Sequence, residues 1–93
     1  MIPSNLEFEW DEKKSEAVKQ KHGRSLKEIS HYIMSGNIVA FQKHFNQKRY
    51  PGQMLIVVNV EGYPWVVPCE VRGNKLRLIT AYPSRKFKKL LER

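Results

Sequence analysis

Gln53-Met54-Leu55-Ile56-Val57-Val58-Asn59-Val60, then Glu61-Gly62, then Tyr63-Pro64-Trp65-Val66-Val67-Pro68-Cys69-Glu70-Val71 is the stretch that decides the fold. Two β-branched, apolar runs flank a glycine-bearing dipeptide, the signature of a tight hairpin. Gly73-Asn74 follows as a second turn of the same kind, and Lys75–Ala81 as a third β-rich run. The simplest arrangement is an antiparallel meander. Pro64 and Pro68 complicate its middle strand, because four residues apart they remove backbone donors on one edge. Either that strand pairs fully on one side only, or it bulges at the prolines, and bulges tend to lie beside functional surfaces.

Upstream, Asn37–Gln42 reads as another strand, followed by a polar loop from Lys43 to Gly52. Further back the pattern is helical. Leu6-Glu7-Phe8-Glu9-Trp10 alternates like a short half-buried strand, and Asp11 then offers an N-cap to a helix reaching about His22, with Gly23 as its left-handed stop. That helix has only Ala17 and Val18 to bury. Ser25-Leu26-Lys27-Glu28 forms a capping box for a second helix, in which Leu26, Ile29 and Ile33 make the buried stripe. After Pro83, Ser84 caps a terminal helix whose Phe87, Leu90 and Leu91 share one arc, with Arg85, Lys86, Lys88 and Lys89 on the other. The expected product is a single α+β domain spanning 1–93.

Charge is distributed unevenly. Of a net +8, the last 22 residues, Arg72 to Arg93, hold +7, with Glu92 their one acid. Like charges crowded together repel, so clustering of this kind points to an acidic partner, above all nucleic-acid phosphate. A solvated basic helix face is the plain alternative. No apolar run is long enough to span a bilayer. The first residues lack the basic start and apolar core of a signal peptide, which makes the cytoplasm the expected compartment. Cys69 stands alone, so no internal disulfide is possible, and its apolar strand suggests packing instead of catalysis.

His22, His31 and His44 show no metal-ligand spacing, and no phosphate loop, dinucleotide fingerprint or serine-nucleophile elbow occurs; no metal or cofactor is expected. What remains is histidine, tyrosine and cation chemistry. Metal-free RNA cleavage needs a base for the 2′-hydroxyl proton, an acid for the leaving 5′-oxygen, and positive groups for the charge on phosphorus. His22 is the candidate proton carrier, although a histidine at a helix C-terminus is also favoured by the helix dipole. Arg49-Tyr50 and Arg85-Lys86 are candidate phosphate clamps, while Tyr50 before Pro51 also reads as a loop anchor. Arg77 alternates with Ile79 and either binds RNA or lies over the sheet. Tyr82 beside Pro83 is the better candidate for stacking on a base, Tyr63 and Trp65 being better placed for the core.

Phe8-Glu9-Trp10-Asp11, Lys14 and Lys21-His22-Gly23 resemble the opening of the BrnT family of bacterial toxins. Arg49-Tyr50-Pro51-Gly52-Gln53 and Leu78-Ile79-Thr80-Ala81-Tyr82-Pro83-Ser84-Arg85-Lys86 look like a BrnT-related branch, so the likeness runs through almost the whole chain from Leu6. The resemblance implies a RelE-like fold, with helices on one side of a twisted antiparallel sheet and a basic C-terminal helix. It also implies endoribonuclease activity and a small cognate antitoxin, with an acidic segment and a ribbon-helix-helix character. Main-line members carry an arginine soon after the last strand, where this chain has Tyr82, so Arg85 is the position that would take its place. The expected site is therefore His22, Arg49, Tyr50 and Arg85 for catalysis, with Arg77, Tyr82, Lys86, Lys88 and Lys89 binding RNA. The rival expectation is a non-catalytic module that binds nucleic acid or protein, including a gyrase inhibitor like the ParE toxins.

Overall fold

A computed structural model of the chain describes residues 7–91, which places Leu6, Glu92 and Arg93 of the readings above outside the described residues. Its elements are β1 (Glu7–Glu9), α1 (Glu12–His22), α2 (Leu26–Met34), β2 (Ile38–Lys43), β3 (Met54–Val60), β4 (Tyr63–Arg72), β5 (Lys75–Leu78) and β6 (Tyr82–Pro83), then a 3-10 helix, Arg85–Leu91. The sheet runs β1-β5-β4-β3-β2, with β6 also against β4. Strands β2 to β5 form the expected antiparallel meander. Glu61 and Gly62 take φ of 52° and 87°, the left-handed pair that a two-residue hairpin of this twist needs.

Both helices begin where their caps stand. The Asp11 carboxylate accepts from the Lys13 N–H at 2.8 Å, and the N–H of left-handed Gly23 closes α1 onto the Lys19 carbonyl at 2.7 Å. Ser25 and Glu28 form the complete capping box of α2. Leu26, Ile29 and Ile33 pack on Ile56, Val58, Trp65, Val67, Leu76 and Leu78, so the main core lies between the helices and one sheet face. In α1, Val18 is buried but Ala17 is exposed; Ser15 takes its place, its buried Oγ accepting from the Leu26 N–H at 3.0 Å. A small hydroxyl joins the two helices there, which an apolar-residue count does not register. By strand alternation Leu55, Val57 and Val66 point to the opposite face, and they too are almost fully buried.

Three features differ from expectation. β1 joins the sheet parallel to β5, its Phe8 opposite Leu76, so the sheet is mostly but not wholly antiparallel. The third β-rich run stops at Leu78 instead of Ala81, and the prolines explain why. One edge of β4 pairs with β3 unbroken from Tyr63 to Cys69. On the other edge, Pro68 and Pro64 accept from Ile79 N–H at 2.9 Å and Ser84 N–H at 3.0 Å but have no N–H to return. Between the Cys69–Leu78 and Val66–Tyr82 pairs, Val67 and Pro68 face three residues, Ile79, Thr80 and Ala81. The ladder therefore breaks into β5 and β6 around a one-residue bulge. Lastly, the terminal basic helix is a 3-10 helix of seven residues. In a 3-10 helix side chains three apart eclipse, which aligns Phe87 with Leu90. Phe87, Leu90 and Leu91 are half-buried, as their common arc requires, and the turn packs against β4.

Candidate nucleic-acid interface

The bulge opens a groove. Two adjoining depressions of about 460 and 490 Å3 share Lys14, Thr80 and Tyr82 as walls. The first extends along α1 to Lys21 and His22; the second extends to His44, Phe45, Arg49 and Tyr50 in the loop after β2. No aspartate or glutamate lines either one. Together the two adjoining depressions carry three cations, two histidines and three aromatic side chains.

Each side chain owes its place to local structure. His22 ends α1, half-buried, its ring edge-on to Trp65 with centroids 5.9 Å apart and planes at 82°. Tyr82 sits in β6, just past the bulge; its phenol is protonated at neutral pH even at its ordinary pKa of 10.0, and burial raises it further. The loop from Phe45 to Gln53 is tied by its own backbone. His44 N–H donates to the Gln53 carbonyl at 2.9 Å, Tyr50 N–H to the Asn46 carbonyl at 2.9 Å, and Arg49 N–H to Asn46 Oδ1 at 3.2 Å. This folding brings the Tyr50 ring to 4.6 Å from that of His44, with the Arg49 guanidinium 5.5 Å from the Tyr50 centroid. His44 is buried, and its Nδ1 accepts from the Asn46 N–H at 3.0 Å. The neutral ring therefore carries its proton on Nε2.

Of the residues expected to act together, His22 lines the first depression, Arg49 and Tyr50 the second, and Tyr82 both. Arg85 is exposed and lines neither depression. Lys86 reaches back to the loop, its Nζ 5.3 Å from the Phe45 centroid, whereas Lys88 lies over Tyr63 at 5.8 Å and Lys89 points to solvent. Arg77 stands apart from the groove, held by Glu9 at 3.4 Å across the β1–β5 pair. The expectation of an RNA contact there meets a cation that already has a counter-charge. Both roles of Tyr50 coexist: it anchors the loop through His44 and still lines the groove.

Sequence reasoning missed His44, Phe45 and Lys14 as site residues. A histidine-aromatic pair inside an otherwise polar loop was the available signal, because such a loop has little reason to carry ring surface. Cys69 is fully buried and burial pushes its thiol up to about 12, so it packs and does not react. Among the described residues no three His, Cys, Asp or Glu side chains gather as a metal site would require. No described helix is long and apolar enough to cross a membrane. No family model matches the chain, and no curated protein matches it either.

Proposed function

We propose that this chain is the toxin of a toxin–antitoxin pair, a RelE-like endoribonuclease of a BrnT-related branch that cleaves RNA in the groove at the bulge. One observation carries the reading: the groove gathers Lys14, Lys21 and Arg49 with His22 and His44 and admits no acid. Cations without carboxylates attract phosphate, and histidines beside them supply proton transfer. His22 takes the proton of the 2′-hydroxyl, whose oxygen then attacks phosphorus. The bond to the 5′-oxygen breaks, leaving a 2′,3′-cyclic phosphate. Tyr82, whose phenol is protonated at neutral pH, gives its proton to that 5′-oxygen. Arg49 and Lys14 stabilise the charge on the non-bridging oxygens, to which His44 adds an Nε2–H donor.

The partner that follows from this reading is a small antitoxin, of the ribbon-helix-helix kind, laying an acidic segment in the groove. Complementary charge speeds its encounter and excludes RNA. A second reading, a module that binds RNA without cutting it, is favoured by the position of Arg85 outside the groove. The test is incubation of the purified chain with single-stranded RNA in EDTA, with product termini read by mass spectrometry and gyrase supercoiling assayed in parallel. Cyclic-phosphate ends that vanish in His22→Gln support the nuclease. Salt-sensitive binding without cleavage sinks the nuclease in favour of the binding module, and inhibition of supercoiling would point instead to a ParE-like gyrase poison.

A further inference from the structure

We infer that Phe45 is a stacking platform for one unpaired nucleobase, at the end of an aromatic ladder whose flanking cations take the neighbouring phosphates. The inference rests on the RNA reading of the groove and names which form of RNA enters it. Phe45 is 72% exposed, more than any other large apolar side chain among the described residues. Isolated exposed hydrophobics are ordinary, and Met34 and Val71 need no explanation beyond that. Phe45 is different because its ring is not isolated. Its centroid lies 4.6 Å from His44 at 32° between planes, and His44 lies 4.6 Å from Tyr50 at 42° on the same ladder. A cation closes each end, Lys86 over Phe45 at 5.3 Å and Arg49 over Tyr50 at 5.5 Å.

The order is therefore cation, three rings, cation, at the mouth of an acid-free groove. The platform is built in advance. His44 is buried and fixed by the Asn46 N–H, and Gln47 Nε2 donates to the His44 carbonyl at 2.7 Å, so the segment preceding Phe45 is pinned. Preorganised aromatic surface beside cations is what sequence-tolerant binding of single strands uses, since every base offers a π face and every linkage a charge. A base arriving on Phe45 exchanges the Lys86 ammonium for its own ring and leaves that ammonium next to the phosphate. Bases in a duplex are already stacked on each other and cannot present a face to Phe45, so the platform selects unpaired RNA.

The experiment measures binding of a short fluorescein-labelled single-stranded 2′-O-methyl RNA, which lacks the nucleophile for its own cleavage, and of the blunt duplex of the same sequence. Wild-type protein is expected to bind the single strand more tightly than the duplex. Phe45→Ala should weaken single-strand binding about five- to hundredfold. Its salt dependence should be unchanged, because no phosphate contact is lost. Phe45→Trp should retain the affinity, while Phe45→Leu, which keeps apolar bulk without a π face, should lose it like alanine. Lys86→Gln should instead lower the salt slope by about 0.7. Melting curves should stay superimposable, the ring being mostly in solvent. Wild-type affinity in Phe45→Ala or Phe45→Leu, or an equal loss for duplex, overturns the platform while leaving the RNA reading standing. Failure of wild-type protein to bind either RNA overturns both.

Discussion

Arg77 and Arg49 carry the same charge in opposite settings. Arg77 lies across the β1–β5 pair with Glu9 beside it, on the sheet face opposite the one that Leu76 and Leu78 turn toward the helices. Arg49 stands in a loop over Tyr50, facing a groove without acids. The difference extends to whole regions. Away from the groove, side chains are spent on packing and mutual neutralisation: the four salt bridges among the described residues engage Arg24, Arg72 and Arg77. Along the groove, cations and rings are left facing outward. Which lysines and arginines are available to a ligand is thus a question of neighbours in space, and a count along the chain answers it poorly.

The contrast can be broken most directly at its two histidines. His22→Gln should lower RNA cleavage about 10²–10⁴-fold, the usual contribution of a positioned acid or base, whereas His31→Gln, exposed on α2 away from the groove, should leave the rate unchanged. Equal behaviour of the two in a cleavage assay would sink the assignment. Away from the groove the largest effect belongs to stability. Leu26→Ala, at a fully buried position between the helices and the sheet, should cost about 2–5 kcal/mol in urea unfolding. Ser15→Ala strands the buried Leu26 N–H and should cost about 1–3 kcal/mol by the same measurement.

A finer comparison returns to the arginines. Arg49→Gln should reduce the slope of log affinity against log salt by about 0.7, as one lost phosphate contact on a single strand requires, while Arg77→Gln should leave it alone. A slope that changes equally for both would erase the distinction drawn between them. The smallest effect is at Cys69. Its folded pKa, about 12, lies above the ordinary 9.0, so the folded state holds the proton longer than the unfolded chain. Its contribution to stability is whole below pH 9 and is lost as pH rises toward 12. Alkylation by iodoacetamide at pH 8 should be slow unless urea is added.

Legibility in the sequence varied with how local each feature was. The caps of α1 and α2 and the Glu61-Gly62 turn depend on residues within a few positions, and all three read correctly. The prolines of β4 signalled trouble, but whether the strand would lose an edge or bulge depended on what lay beside it. The first happened, and the bulge fell on the other strand: the missing N–H groups face the partner, which carries the extra residue. The direction of β1 was not legible, since a strand of three residues pairs wherever its Phe8 finds the core. In the site, the helix end offered His22 and the loop motif offered Arg49 and Tyr50. His44 and Phe45 were passed over because a ring ladder depends on how the loop turns back at Asn46, which spacing alone does not reveal.

By itself the sequence determined the α+β class, the order of β1 to β5 and the two α-helices, the caps and hairpin turns, and the concentration of positive charge toward the C-terminus. These follow from period, capping chemistry and composition, which act over a few residues. Tertiary structure decided the rest: which cations are neutralised, where the sheet breaks to open a groove, and which rings meet. Those outcomes depend on contacts between residues far apart in the chain, such as Glu9 with Arg77 and Lys86 with Phe45. Charge and ring surface act through space over a few ångströms, so their partners exist only once the chain has folded.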